Sequence, residues 1–249
     1  MNLINPTLHS FKRLSLADIE SVSLLNRTDH KYCLHRSALP AILESLKPDH
    51  AILDIEGQTI FSYENTYFDT EKNQMYLDHQ NEKGNRYKIR LRRYVQTQSN
   101  FLEIKLKTNK GRTIKRRIER DSFSPVFNRQ ELDFIQHFSP FQGTELTPRI
   151  QNNFERITLI DKELTDRITI DLFPGFESSE RKIALKNLVI IEVKQNKNNN
   201  SSRINEILKA ERIPEKGFSK YCIGLSLLDE NIKKNNFKPL LLKINRNYL

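Results

Sequence analysis

The stretch that most constrains this chain runs from Arg86 to Ile118, RYKIRLRRYVQTQSNFLEIKLKTNKGRTIKRRI. It reads as three consecutive strands in which charged and apolar residues alternate. In the first, Lys88, Arg90 and Arg92 share one face, with Ile89 and Leu91 on the other. In the second, Glu103, Lys105 and Lys107 oppose Leu102, Ile104 and Leu106. In the third, Thr113, Lys115 and Arg117 oppose Ile114, Arg116 and Ile118, with Arg116 interrupting the apolar side. A half-buried sheet often carries solvated lysines on its outer face, and these also guard its edges. Here the polar face is almost wholly cationic. Like charges on neighbouring strands repel unless something anionic lies between them. The stretch is therefore either a solvated outer face or the lining of a site for a polyanion.

The whole chain leans the same way. Its 249 residues carry 41 Lys and Arg against 31 Asp and Glu, a formal charge of +10, which points to an anionic partner. No apolar run is long enough to span a bilayer, and the N-terminus has no signal-peptide core. Cys33 and Cys222 are too few for a disulfide framework and lack metal spacing. The expectation is a reduced, cytoplasmic protein, in which the sequon Asn199-Asn200-Ser201 is chance. Glycine is scarce and no low-complexity linker divides the middle. One domain is expected over residues 1–249, with a core of about 24–230 and a tail of 231–249.

The remaining chain supplies further elements. Ser15 caps a short helix near Asp18. Arg27 to Leu34 reads as a strand, and Ser37 caps a helix through Leu46, with Pro48 beyond its end. Ala51–Ile55 and Gln58–Tyr67 are strands around a Glu56-Gly57 turn. Phe68-Asp69-Thr70 opens a loop, with a short helix over Lys72 to Asp78. Asp69 and Asp78 suit capping or turn roles. Ser122 to Phe141 is helical, with Leu132, Phe134, Ile135 and Phe138 as apolar positions. Arg149–Ile160 and Asp166–Leu172 form a hairpin, and Leu188–Gln195 is the most apolar strand. A polar loop over Asn198 to Ser202 leads into a helix to Glu211. Pro214–Gly217 turns into Phe218-Ser219-Lys220-Tyr221-Cys222, and Phe237–Ile244 packs back on the body.

One pattern recurs. Glu192-Val193-Lys194 repeats the Glu103-Ile104-Lys105 arrangement, so two apolar strands each carry a carboxylate and an ammonium on one face. Such groups are costly to bury unless paired or bound to an ion. A salt-bridge ladder satisfies them, and so does a metal held between carboxylates and phosphate. Cations outnumber acids on these faces, so the ladder is incomplete and an anion-filled tunnel becomes the favoured reading.

Several segments together carry a family resemblance: RTDHKY (27–32), YKIRLRRY (87–94), FLEIKLKTNKGRTIKRR (101–117), DRITID (166–171), IIEVKQ (190–195) and FSKYCIG (218–224). In this order they resemble the VTC domain, the catalytic domain of polyphosphate polymerases in the triphosphate tunnel metalloenzyme superfamily, in its stand-alone bacterial form. The resemblance implies an α+β fold, an antiparallel eight-stranded β tunnel with helices packed outside. It matches Lys31, Arg90, Arg92, Lys105, Lys115 and Arg167 to the tunnel cations, Glu192 to the metal-binding glutamate, and Ser219 with Lys220 to a late Ser-Lys pair. Lys88 and Lys194 join the substrate-binding candidates, and Glu103 is a second metal candidate. The superfamily's first-strand Glu-x-Glu-x-Lys reads Arg27-x-Asp29-x-Lys31 here, which argues against the thiamine-triphosphatase and adenylate-cyclase branches.

The implied activity is transfer of the terminal phosphoryl group of ATP to a growing inorganic polyphosphate chain, with Mn²⁺ or Mg²⁺. ATP and polyphosphate are the expected partners, and nucleic acid is not. A tunnel triphosphatase, or a polyphosphate- or RNA-binding module without activity, are the alternatives. RNA readers interleave aromatic platforms with basic residues, whereas Tyr87, Tyr94 and Phe101 flank the basic strands here.

Overall fold

The computed structural model describes residues 4–20, 27–196 and 202–249. The polar loop expected at Asn198–Ser202 and the sequon lie outside these residues, apart from Ser202.

Alternation sets the strands. The three basic strands form as β5 (Arg86–Tyr94), β6 (Ser99–Lys107) and β7 (Thr113–Arg120), numbered after four earlier strands: β1 (Lys12–Leu14), β2 (Arg27–His35), β3 (His50–Leu53) and β4 (Phe61–Thr70). After them come β8 (Leu146–Asp161), β9 (Asp166–Glu177), β10 (Lys182–Ala184) and β11 (Leu188–Asn196). Eight strands make one continuous path, β2-β11-β9-β8-β4-β5-β6-β7, and every step is antiparallel. This is the expected eight-stranded sheet, with β1, β3 and β10 added at its margins. The path does not close, because β2 and β7 do not pair among the described residues. It does curl. Lys105 on β6 feels the charges of Lys31 on β2 and Glu192 on β11, although five strands separate β2 from β6 along the path. The two ends of the sheet therefore face one another across a polar bore.

Period two then sorts the side chains. The outer face of β2, β8, β9 and β11 presents Leu34, Ile157, Leu159, Ile168, Ile170, Val189, Ile191 and Val193, all buried. Helices α1 (Asn5–His9), α3 (Leu39–Leu46) and α6 (Arg203–Ala210) cover it, through Leu8, Ile42, Leu43, Leu46, Ile204 and Leu208. The outer face of β5 and β6 presents Ile89, Leu91, Leu102 and Ile104 to α5 (Arg129–Phe138), which contributes Ile135. Asn128 and Glu131 form a capping box that starts α5. β7 is only partly covered. Ile114 is 43% exposed and Arg116, the break in its apolar side, stacks on Phe138 at 5.5 Å.

Some boundaries differ from expectation. Ser15 caps the short α2 (Leu16–Glu20) as expected, exchanging hydrogen bonds with Asp18. Ser37 does not cap α3: it lies in a 3-10 turn (Arg36–Ala38), and its amide donates to His35 Nδ1 at 3.3 Å. β4 runs on through Phe68-Asp69-Thr70, which was expected to be a loop, because β8 continues to pair beside it past a register shift at Pro148. The hairpin β8–β9 is longer than its alternation suggests. A bulge near Asn153, with Phe173 at φ 51°, lets the ladder continue beyond Leu172. Two helices arise where the sequence reading placed none: α7 (Lys220–Leu228) and α8 (Lys238–Asn247). α8 buries Leu240, Leu241 and Ile244, so the last stretch does pack back on the body.

α7 is the exception to helices packed outside. It lies on the inner face of the sheet, where Tyr67, Ile150, Phe176 and Ile190 pack against Tyr221, Cys222 and Ile223. A Cβ on Gly224 would stand 2.4 Å from a Phe176 ring carbon, so glycine permits the close approach. Short α4 (Gln74–Gln80) packs beside it, and the Tyr76 hydroxyl meets Ser226 Oγ at 2.8 Å. α4 and α7 thus pack on one another and on the strands of the sheet.

Candidate functional site: a cationic bore

The strand registers place the expected residues in cross-strand rows. Lys88, Lys105 and Lys115 stand side by side on β5, β6 and β7, and the next row holds Arg90, Glu103 and Arg117. On the opposite wall Lys31 faces Glu192, and Lys194 lies between Asp29 and Arg167. All the tunnel cations named from the sequence lie on this one inner face.

The acids neutralise some of these cations and not others. Glu103 is 2% exposed and sits among three cations. Arg90 Nη2 is 2.6 Å from its Oε2, Lys115 Nζ is 2.5 Å from its Oε1, and Arg92 Nε is 4.0 Å away. Burial alone would raise its pKa, but these charges hold it well below the usual carboxylate range. Glu192 Oε1 receives Lys194 at 3.0 Å and Lys31 at 3.3 Å, and those charges likewise outweigh burial. Arg90 also donates to the Tyr67 hydroxyl at 3.1 Å, and Arg92 to Asn65 Oδ1 at 2.9 Å.

Lys88 and Lys105 differ. Neither forms an ion pair with a described carboxylate. Burial pushes the Lys105 ammonium down to about 7, with Lys88 adding to the shift. Burial pushes Lys88 down to about 8, with Lys31, Arg90 and Arg86 adding. Lys115 is also lowered to about 8 by burial, against the pull of Glu103, although its side chain is 41% exposed.

Two central residues escaped the sequence reading. Arg156 on β8 makes a bidentate pair with Asp171 on β9, Nε to Oδ1 at 2.6 Å and Nη2 to Oδ2 at 2.9 Å. Lys220, from the first turn of α7, contacts the same Oδ2 and lies 4.4 Å from the Phe154 ring centre. These cations outweigh burial and hold Asp171 down at about 2. The alternation Phe154-x-Arg156-x-Thr158 carries the signal for Arg156, but one arginine in an apolar strand looks like any snorkelling cation. Ser219 precedes the first residue of α7. It is the N-cap of α7, and its Oγ accepts from the Cys222 amide at 3.2 Å. Its contribution is to aim Lys220.

Asp69 has the capping role expected of it. Its carboxylate accepts from the amides of Met75 and Tyr76 at 2.9 Å each, and from the Tyr221 hydroxyl at 2.5 Å. This ties α4 and α7 to β4. Asp78 is held by Lys83 at 2.8 Å and Gln74 at 2.7 Å.

Beyond Arg92 and Arg156 the bore becomes aromatic. Tyr63 stacks on Phe154 with centroids 5.2 Å apart and touches Tyr94 at 5.0 Å, which in turn meets Phe101 edge-on. Arg156 lies 5.0 Å from the Tyr63 ring and Arg117 4.6 Å from Phe101.

For a divalent cation the donor set is sparse. Among the described residues no three or more His, Cys, Asp or Glu side chains gather in a metal-binding group. Both oxygens of Glu103 are engaged by cations. Glu192 offers one carboxylate, with its two lysines on the same oxygen. That fits a hard cation whose remaining ligands are phosphate oxygens and water, and does not fit a cage built by protein alone.

No helix among the described residues is long and apolar enough to cross a membrane. No curated protein sequence matches the chain. Among solved structures, a candidate adenylate cyclase from Bacillus halodurans superposes with a TM-score of 0.50 at 12% identity, over 78% of this chain and 94% of that one. A candidate adenylyl cyclase from Hippeastrum, described as having a dominant triphosphatase activity, gives 0.48 at 16% identity, over 80% and 94%. At 12% identity the first likeness is one of fold alone. The VTC domain profile matches residues 26–229, the span that holds every bore side chain described above, and the chain belongs to the VTC domain family.

Proposed function

We propose that the bore binds the triphosphate of ATP and the end of an inorganic polyphosphate chain, and transfers the terminal phosphoryl group from one to the other. The observation that carries this reading is the facing pair Lys88 and Lys105, two half-buried lysines with no described carboxylate partner. Like charges directly opposite one another on a ladder repel, and a phosphate group between them removes that cost. Arg90, Arg92, Lys31, Arg167, Lys194 and Lys115 extend the same surface, with Lys220 at the foot of α7. The aromatic end around Tyr63, Tyr94 and Phe154 suits a nucleoside, whose base is apolar on its faces.

In the step, a terminal phosphate oxygen of the acceptor chain attacks the γ-phosphorus of ATP. A new P–O bond forms as the bond to the β–γ bridging oxygen breaks, and ADP leaves with that electron pair. The attacking oxygen is already ionised at neutral pH, so no strong base is required. The side chains act by alignment and by stabilising charge on the transferring group. Arg90 and Arg92 are locked by Glu103, Tyr67 and Asn65, which fixes their heads before substrate arrives. Glu192, with phosphate oxygens completing the shell, would hold a Mn²⁺ or Mg²⁺ ion, which would supply further charge neutralisation.

The test is incubation of the purified protein with ATP and Mn²⁺ or Mg²⁺, with products resolved on a gel stained for polyphosphate. Long chains with matching ADP release are expected. Free phosphate without chains overturns the polymerase in favour of a triphosphatase. Tight polyphosphate binding with no turnover makes the protein a binding module.

A further inference from the structure

One cross-strand row lies between the Arg90–Glu103 row and the aromatic end. Asn65 on β4 stands directly opposite Arg92 on β5 and directly opposite Asn152 on β8. Three polar side chains thus line up across three neighbouring strands. All are buried: Arg92 is 7% exposed, Asn65 1% and Asn152 2%. Buried amides are costly in a sheet unless hydrogen-bonded.

The bonds of this row run in one direction. Arginine can only donate, so Asn65 must turn its oxygen toward it, and Arg92 Nε donates to Asn65 Oδ1 at 2.9 Å. The Asn65 amino group then faces β8, where it donates to the Asn152 carbonyl at 3.3 Å and to Asn152 Oδ1 at 3.4 Å. Asn152 Nδ2 in turn donates to the Gly175 carbonyl on β9 at 2.8 Å, beside the register shift at Asn153. The amides therefore tie the head of Arg92 to the backbone of a strand three steps away, and each bond polarises the next.

The two arginines of β5 are held in different ways. Arg90 gives Nε and Nη2 to the Glu103 carboxylate and Nη1 to the Tyr67 hydroxyl. Its charge is matched by an acid. Arg92 gives Nε to a neutral amide, lies 5.4 Å from the centre of the Tyr63 ring, and has Glu103 only at 4.0 Å. No hydrogen bond among the described residues takes its Nη1 or Nη2. A carboxylate at position 65 would hold the same nitrogen and offset the charge. An amide fixes the direction and leaves the charge for what arrives.

We propose that Asn65 and Asn152 are positioning residues, a neutral amide ladder that aims the Arg92 guanidinium at bound phosphate without neutralising it. This rests on the reading that the bore takes a phosphate chain. Both asparagines act through Arg92.

The experiment is a double-mutant cycle on the full chain, read as tripolyphosphate affinity by calorimetry. Asn65→Leu keeps the volume and removes the acceptor. It is expected to weaken binding roughly tenfold in the parent and to change it little in an Arg92→Met background, because the ladder then has nothing to aim. An equal loss in both backgrounds makes Asn65 merely structural and overturns the inference, as does an unchanged affinity in the parent. Asn152→Leu, one strand further from the arginine, goes through the same cycle and decides the matter if Asn65→Leu does not fold. Coupling to Arg92 supports the ladder, and its absence overturns it. Asn65→Asp keeps an acceptor for Nε and adds a charge, so it is expected to fold as stably as the parent and to bind more weakly. Binding at parental strength overturns the neutral role. In each of these negative outcomes the parent still binds tripolyphosphate and the proposed function stands. A parent that does not bind tripolyphosphate overturns both.

Discussion

Lys88 and Lys105 stand opposite one another on neighbouring strands, both half-buried, with no described carboxylate paired to either. One row along, Arg90 and Glu103 make the paired version of the same arrangement, 2.6 Å apart. The sheet thus holds a satisfied row and an unsatisfied row side by side. The satisfied row fixes arginine heads, and the unsatisfied row is where an anion gains most.

The first consequence is a pH dependence with a definite sign. Lys105 titrates near 7 and Lys88 near 8 in the folded protein, below the ordinary lysine value of 10.5. Between those values and 10.5 the unfolded chain binds more protons, so the free protein gains stability as pH rises through that window. Anion binding needs the charged lysines and runs the other way. The rise in Tm caused by tripolyphosphate should be largest below about pH 7 and shrink above about pH 8. Thermal melts across this range check it, and a constant or growing shift contradicts the assignment.

Lys105→Met separates stability from binding. Methionine fills similar volume without a partly desolvated charge beside other lysines, so the free protein should become more stable. Tripolyphosphate affinity should fall roughly 10- to 100-fold, the worth of one charged hydrogen bond. Loss of stability together with unchanged affinity would remove Lys105 from the seat.

Arg156→Ala leaves the Asp171 carboxylate buried with only Lys220 beside it. Breaking such a pair from one side costs about 3–5 kcal/mol, readable by urea denaturation. Replacing both partners, Arg156→Met with Asp171→Leu, should recover much of that stability. A single mutant as stable as the parent would show that the pair is incidental.

Arg90→Ala should slow phosphoryl transfer by about 2–4 kcal/mol of transition-state stabilisation, by analogy with loss of one oxyanion donor. The comparison is turnover at saturating ATP. Near-normal turnover would sink the mechanism.

Glu192→Gln should abolish the response of turnover to Mn²⁺ or Mg²⁺ while tripolyphosphate still binds, since Lys31 and Lys194 lose only a counter-ion. An unchanged metal response would assign the metal elsewhere.

Much of this site is readable in the sequence, and the reason is the strand's period of two. Lys88, Arg90 and Arg92 must share a face once the segment is a strand, whatever the rest of the chain does. The same holds for Glu192 with Lys194, and the buried outer faces follow from Leu102, Ile104, Val189 and Ile191. Capping is as local, which is why Asp18 with Ser15, and Asp69 with α4, appear where short-range chemistry puts them. α7 was not legible because it shows little one-sided patterning. It is buried almost all round, from Tyr221 to Ser226, so no polar face marks it as a surface helix.

By itself, then, the sequence determined which side chains share a face, that the shared face is cationic, and which family the chain resembles. Only the tertiary structure decided which cations are neutralised. That depends on register between strands distant in sequence: Arg90 meets Glu103 across one ladder, Arg156 meets Asp171 across another, and Lys220 arrives from a helix folded into the bore. Lys88 and Lys105 stay unpaired for the same reason, because the curl of the sheet brings them lysines and the Glu192 carboxylate is already taken. Alternation is a property of neighbours along the chain. Charge balance belongs to neighbours across space, and only the folded sheet supplies those.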